Sequence, residues 1–213
     1  MARKTAKPAA RRDEDTTYHH GDLRKALLEA AAALLAAEGA GAVGMREIAR
    51  RAGVSHAAPY RHYASREALL ADLARSGFER LNRRFAALPA PGEPERRFVE
   101  MARAYVRFAL DEPETWRLMF GETVDKQDYP DLMYASGLAF DTLRQVVQAL
   151  GVAAPATLES LAAWAMAHGV ARLVLDHRID AHLDVRVDPD ELVVRAAEVF
   201  IAGVRSPRAG RGR

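Results

Sequence analysis

Apolar residues recur at three- and four-residue steps along most of this chain, and that spacing predicts helices almost throughout. Leu23, Leu27, Ala30, Ala31, Leu34 and Leu35 make one stripe, with Arg24, Lys25 and Glu29 on the opposite face. They predict a helix of about 17 residues that starts at Asp22 and stops at Gly39 and Gly41. Met45, Ile48, Ala49 and Ala52 predict a short helix broken at Gly53, and Ser55 is a good N-cap for a second short helix to about Tyr63. Ser65 caps a third, with Leu69, Leu70, Leu73, Phe78 and Leu81 as its apolar stripe and Glu67 suiting the dipole of its first turn. The same periodicity predicts helices over about 94–111, 113–120, 129–150, 155–177 and 189–204. No segment alternates with the two-residue period of a strand over any length, so the fold class is all-α.

Residues 87–95 (ALPAPGEPE) hold three prolines and one glycine, which is linker composition. The predicted organisation is a disordered basic arm at 1–19, a helical domain at 20–80, a second helical domain at 81–205 and a disordered tail at 206–213. Charge divides along the same line. Residues 1–80 carry 14 Lys/Arg against 10 Asp/Glu, net +4, whereas residues 81–205 carry 14 against 19, net −5. A basic front half suits a polyanion, and an acidic back half has another task. The absence of cysteine excludes disulfide scaffolds, cysteine nucleophiles and thiolate zinc sites, and fits a reducing compartment. The longest apolar run, AAAALLAA, is far short of the ~20 residues of a membrane helix, and no apolar segment follows the basic N-terminus as a secretory signal requires. The expectation is therefore a cytoplasmic protein with no membrane partner.

No GxSxG, HExxH or P-loop occurs, and no catalytic site is read. His177 and His182 flank a predicted connection with Asp176, Asp180 and Asp184; a solvated loop explains them better than a metal, and no cofactor or metal is expected.

Two short helices joined by about three residues containing Gly are the signature of a helix-turn-helix. Ala49 is small enough for the second helix to cross closely, Gly53 permits a backbone angle that side chains resist, and Val54 plugs the small core between the helices. Pro59 is acceptable in a first helical turn and costly later, which places the start of the second helix at Ser55 or His56. The run MREIARRAGVSHAAPYRHYASREALLADL, with Ile48-Ala49, Ala52-Gly53-Val54-Ser55, Tyr60, His62 and Glu67-Ala68-Leu69-Leu70 in register, resembles the DNA-binding domain of TetR/AcrR-family transcriptional repressors over residues 20–80. Trp164-Ala-Met-Ala-His168-Gly169 resembles the Trp-His-Gly signature of one subgroup's C-terminal domain.

That resemblance implies an all-helical homodimer. Its helix-turn-helix binds a palindromic operator in double-stranded DNA, with half-sites about one helical turn apart. Its C-terminal domain binds a small molecule that releases the DNA, by changing the separation of the two recognition helices. The DNA-contacting set carried by the register is Arg46, Ser55, His56, Ala57, Ala58, Tyr60, His62 and Arg66. His56 and the two alanine methyls would face base edges; Tyr60, His62 and Arg66 would face phosphate. Gly44 stands where the family usually has Ser or Thr, which removes one phosphate donor, and Arg46 and Arg50 lie near enough to compensate.

Effector-pocket candidates are Phe98, Met101, Tyr105, Phe108, Trp116, Phe120, Met133, Phe140, Trp164 and His168, a set that leans towards an apolar or aromatic ligand. Dimer-face candidates on the last two helices are Leu158, Leu161, Ala165, Gly169, Leu173, Val193, Ala196 and Phe200. Alternatives from other classes are a DNA-architectural protein without effector, a transcriptional activator on the same fold, and a protein-interaction module with a vestigial helix-turn-helix.

Overall fold

The computed structural model describes residues 14–88, 92–152, 155–179 and 186–206. Among these residues lie eight α-helices and no strand: α1 (Glu14–Glu38), α2 (Met45–Arg51), α3 (Arg66–Ala86), α4 (Pro94–Asp111), α5 (Pro113–Phe120), α6 (Pro130–Ala149), α7 (Thr157–Leu175) and α8 (Pro189–Arg205). Single 3-10 turns occur at Ala40–Ala42, Pro59–Arg61 and Lys126–Asp128. Proline opens α4, α5, α6 and α8, where its missing N–H has no partner to lose and its φ is already helical. Most of the basic arm, the C-terminal tail beyond Ser206, and Asp180, His182 and Asp184 lie outside the described residues. No helix among the described residues is long and apolar enough to cross a membrane.

The chain divides into two compact units, one ending at Leu69 and the other starting at Leu70, within α3 rather than at residues 80/81. In the first unit α1 buries Leu27, Ala31, Leu34 and Leu35, and α2 buries Met45, Ile48 and Ala49. Their spacing puts each set on one helix face. α2 ends in a Schellman motif. Val54 N–H donates to Ala49 O at 2.9 Å and Gly53 N–H to Arg50 O at 3.2 Å, with Gly53 at φ +68°. Glycine takes that left-handed position without the strain a Cβ would add. Ser65 caps α3 as expected, its Oγ accepting from Ala68 N–H at 3.1 Å.

In the second unit α4 is the central element. Phe98, Met101, Ala102, Tyr105, Val106, Phe108 and Ala109 are buried on it, and it packs against α5, α6, α7 and α8. Arg103 and Arg107 of α4 both pair with Asp190 in the first turn of α8, and Arg103's hydrogen bonds hold the Asp190 carboxyl below its usual range. Gly77 of α3 faces α5; a Cβ on it would stand 2.6 Å from Met119 Sδ and 2.8 Å from Thr115 Cγ2.

Candidate nucleic-acid interface and effector cavity

The segment after α2 differs from the expected second short helix. Its hydrogen bonds run mostly from residue i to i−3: Ala58 N–H to Ser55 O, Arg61 N–H to Ala58 O and His62 N–H to Pro59 O, at 2.9, 3.2 and 3.0 Å. Only Pro59–Arg61 forms a 3-10 turn. Pro59 has no N–H to give to Ser55, so the α-helical ladder cannot start from the cap, and the tighter turn takes its place.

Ser55, His56, Ala57 and Tyr60 are exposed, Tyr60 by 56%, as a DNA-facing segment requires. His62 is half-buried. Ala58 is buried, only 8% exposed, so its methyl is not available to a thymine. Arg66 is exposed and also makes local bonds: its Nε donates to Val43 O at 2.6 Å and its Nη2 to Ala40 O, so the guanidinium braces the turn between α1 and α2.

Around α2 the arginines sort by partner. Arg50 makes a two-point contact with Glu47, at 2.9 and 2.7 Å, and Arg51 binds both Glu47 and Glu38 at 2.8 Å. The hydrogen bonds from Arg50 and then Arg51 lower the Glu47 carboxyl to about 2. Arg50 is therefore engaged with Glu47. Arg46 at the exposed start of α2 has no side-chain partner among the described residues, and neither has Arg61 on the 3-10 turn. Sequence reasoning misses Arg61 because it falls inside a helix whose contact residues are drawn from register. Gly44 is the N-cap of α2 at φ −123° and ψ 144°, with no side chain to cap or to donate.

The second unit holds a partly open cavity of about 330 Å³ between α3, α4, α6 and α7 and the 3-10 turn after α5. It exists because many lining side chains are small: Ala102, Ser136, Gly137, Ala139, Ala163 and Ala167 do not fill the space that Phe78, Phe98, Phe120, Phe140 and Trp164 frame. Of the expected pocket residues, Phe98, Met101, Tyr105, Phe120, Phe140 and Trp164 line it. Four do not. Phe108 is wholly buried with the Arg84 guanidinium 5.1 Å over its ring, Trp116 is 1% exposed in the core, and Met133 is turned to solvent. His168 stands behind the lining, hydrogen-bonded to Tyr105 and in ring contact with Phe120 and Trp164.

The Tyr105 hydroxyl is the hub of that contact. It accepts from Trp116 Nε1 at 3.3 Å and Trp164 Nε1 at 3.4 Å, and lies 2.8 Å from His168 Nδ1. The two indole N–H groups occupy its lone pairs, so its own proton points to His168 Nδ1 and the imidazole proton sits on Nε2. Burial pushes the Tyr105 phenol up, which keeps it a neutral donor. Burial, then the charges of Arg172 and Lys126, pushes His168 below its ordinary value, which favours the neutral ring this network needs.

Lys126 is the lining residue that a pattern of apolar positions does not reveal. It opens the 3-10 turn after α5, and its Nζ stands 4.8 Å from the Phe78 ring centroid and 5.1 Å from that of Phe120. Burial lowers its pKa.

The dimer-face candidates divide. Leu158, Leu161, Ala165 and Leu173 are exposed on one side of α7, Leu158 by 76%, and Gly169 and Ala196 are half-buried. Val193 is 1% exposed and belongs to the core of its own subunit, whereas Phe200 is half-buried and stacks on Phe98 with centroids 5.0 Å apart.

Residues 27–73 match the family profile described as bacterial regulatory proteins, tetR family, and residues 98–200 match the tetracyclin repressor-like C-terminal domain. The chain belongs to the TetR family. It is similar to the HTH-type transcriptional regulator BetI of Rhizobium meliloti (strain 1021), 34% identical over 114 residues, which is 52% of this chain and 56% of BetI. The chain thus spans little more than half the length of that curated relative. It also resembles the structure of a protein of unknown function from Rhodococcus sp. RHA1, 36% identical with a TM-score of 0.75, covering 88% of this chain and 97% of that one. The TetR family transcriptional regulator PfmR from Thermus thermophilus shares the fold, with a TM-score of 0.61 at 17% identity over 88% of this chain and 99% of that one. The match over residues 27–73 gives this TetR chain the N-terminal helix-turn-helix of a family of bacterial regulatory proteins.

Proposed function

We propose that this TetR-family chain is a ligand-responsive repressor: two copies bind a palindromic operator, in the cytoplasm and on the nucleoid, and a small molecule in the cavity lowers their affinity for DNA. The observation that carries the reading is the largely apolar, partly open cavity of the second unit, at the lower end of the ~300–1,000 Å³ range of small-molecule sites, in a chain whose first unit is a helix-turn-helix. An architectural protein has no use for such a cavity. Ligand acts by binding the DNA-incompetent state more tightly than the competent one, so DNA and ligand weaken each other by the same factor.

On the DNA side the reading assigns base contacts to His56 and Ala57, and phosphate contacts to Tyr60, Arg46 and Arg61, with Ser55 and His62 at the edge of the set. Two copies are needed because one such module makes too few contacts for specificity. The exposed apolar side of α7 supports pairing, since Leu158, Leu161 and Leu173 in water are otherwise costly. Leu161 and Trp164 also line the cavity, so a partner on α7 would cover part of its rim.

The test is a gel-shift titration with the intergenic DNA next to the gene, scanned for a palindrome, together with light scattering. Specific retardation by a dimer, weaker for all DNA in Tyr60→Ala and altered in site preference in His56→Ala, supports the reading. Equal affinity for all duplexes, or unchanged binding in both variants, overturns it.

A further inference from the structure

We propose that the cavity's ligand is an amphipathic anion, an apolar body ending in a carboxylate that pairs with Lys126 Nζ. This rests on the reading of the cavity as a ligand site, and it adds the chemical class that the apolar lining leaves open.

Few polar groups face the space. Side-chain donors and acceptors on the lining are Tyr105, Ser136, Trp164 and Lys126. The Tyr105 oxygen donates once and accepts twice, and so has nothing left for a ligand. The Trp164 N–H is engaged with that oxygen. The Ser136 hydroxyl donates to Met133 O at 2.9 Å, within α6. Lys126 remains, with an ammonium that has three donors and no acceptor.

No carboxylate lines the cavity, and Lys126 forms no ion pair among the described residues. Asp125, next to it in the chain, is engaged elsewhere, accepting from Gln127 N–H at 3.0 Å and capping the turn. What Lys126 has is the faces of Phe78 and Phe120. Such cation–π contacts offset desolvation only in part, because they do not neutralise the charge. A half-buried ammonium stacked on two phenyl rings at the wall of an apolar space is an incomplete ion pair. An incoming anion completes it, a neutral ligand leaves it as it is, and a cation is repelled. The rest of the ligand lies against the phenyl rings and small residues, which select for an aliphatic or aromatic body without further polar groups.

The two tryptophans of the chain provide a direct readout, since Trp164 lines the cavity and Trp116 shares its hydrogen bond to Tyr105. The full-length protein is titrated with decanoate, decan-1-ol and decyltrimethylammonium below their micelle concentrations, and with 2-naphthoate and 2-naphthalenemethanol, following tryptophan emission and confirming by calorimetry. In the wild type the carboxylate of each pair binds about ten- to a hundredfold more tightly than the alcohol, and the ammonium binds worst. Lys126→Met loses that preference and binds acid and alcohol alike, while Lys126→Arg retains it. Lys126→Glu favours the ammonium over the acid. Circular dichroism reports whether each variant is folded, and the wild-type series decides alone if a variant is not.

Equal binding of acid and alcohol by the wild type, absence of binding by both carboxylates, or a preference that survives Lys126→Met overturns the proposal. Release of DNA is scored separately by gel shift. A carboxylate that binds through Lys126 without weakening DNA binding sustains this inference and defeats the ligand-released repressor. DNA release by a neutral ligand does the reverse.

Discussion

Replacing Tyr105 by Phe removes one oxygen atom and leaves the ring, so nearly all of its effect comes from three groups that share that oxygen. Trp116 is 1% exposed, and its indole N–H has no other partner, so the substitution leaves a buried donor unsatisfied at a cost of about 1–3 kcal/mol. Trp164 Nε1 is bonded at 3.4 Å, a long contact, and its residue is 36% exposed; water replaces the lost acceptor at little net cost. His168 Nδ1 loses a donor at 2.8 Å on a half-buried ring, which adds something under the ~1 kcal/mol of an ordinary neutral hydrogen bond. The expected total is about 2–3 kcal/mol, with no cavity term because the ring stays. For a chain of this size each kcal/mol moves Tm by about 2–4 °C, so the variant melts roughly 4–12 °C lower. Urea unfolding followed by far-ultraviolet circular dichroism gives the free-energy change, and tryptophan emission should shift in the folded state as two indoles change partners. A loss below about 0.5 kcal/mol with unchanged emission would show that the hydroxyl is not the hub that its three contacts describe.

Three further substitutions probe other parts of the second unit. Gly77→Ala gains the helix propensity of alanine, about 1 kcal/mol, but drives a Cβ against the stiff Thr115 Cγ2 and Met119 Sδ; overpacking of about 1–3 kcal/mol wins, and Thr115→Ser in the same chain should recover part of the lost Tm. A gain in stability from Gly77→Ala alone would contradict the close approach of α5. His177 occupies the left-handed position of a Schellman motif closing α7, at φ +50°, with Arg178 N–H donating to Leu173 O at 2.9 Å; His177→Gly should stabilise the protein by about 0.5–1 kcal/mol in urea titration, and a loss would refute that backbone reading. The lowered pKa of His168 has a defined sign: above its ordinary 6.5 the ring is neutral in both states, and below 6.5 the unfolded chain takes up a proton that the folded ring resists. Stability therefore falls as pH drops from about 6.5 towards the folded value, and His168→Asn, which keeps an acceptor for Tyr105 but does not titrate there, should show a smaller loss between about pH 7.5 and 5.5; equal losses would remove His168 from the account.

The helices of the second unit are legible because each carries an apolar stripe and a sharp start. Periodicity from Phe98 to Ala109 and proline at position 94 bound α4 at Pro94–Asp111, the predicted range. The first unit is harder at two places, for physical reasons. α1 begins at Glu14, ahead of the expected Asp22, because polar residues at the start of a helix carry no periodic signal. Cap and family register predict a helix from Ser55, but a proline four residues after the cap removes the hydrogen bond that would begin the α-helical ladder.

The candidate site is legible in proportion to the size of its residues. Large aromatics announce a core, and six of ten proposed pocket residues do line the cavity. A cavity, however, is made by what fails to fill it, and Gly137, Ala139, Ala163 and Ala167 give the same signal in sequence as residues that let helices approach. Phe78, Leu81 and Phe85 escape sequence reasoning because pocket candidates are drawn from the helices after residue 94, whereas compactness groups all three with those helices, in the unit that starts at Leu70. The charged residues are least legible, since an arginine or lysine reads as solvated surface until its neighbours are known. Arg66 donates to two backbone carbonyls, Arg50 is bound by Glu47, and Lys126, in a short polar connection, turns onto two phenyl rings of the cavity wall. Each of these assignments depends on a contact between residues distant in sequence or on competition among neighbours for one carboxylate. For that reason the charge proposed for the ligand rests on contacts that only the fold reveals, while the apolar body proposed for it is already suggested by the composition of the helices.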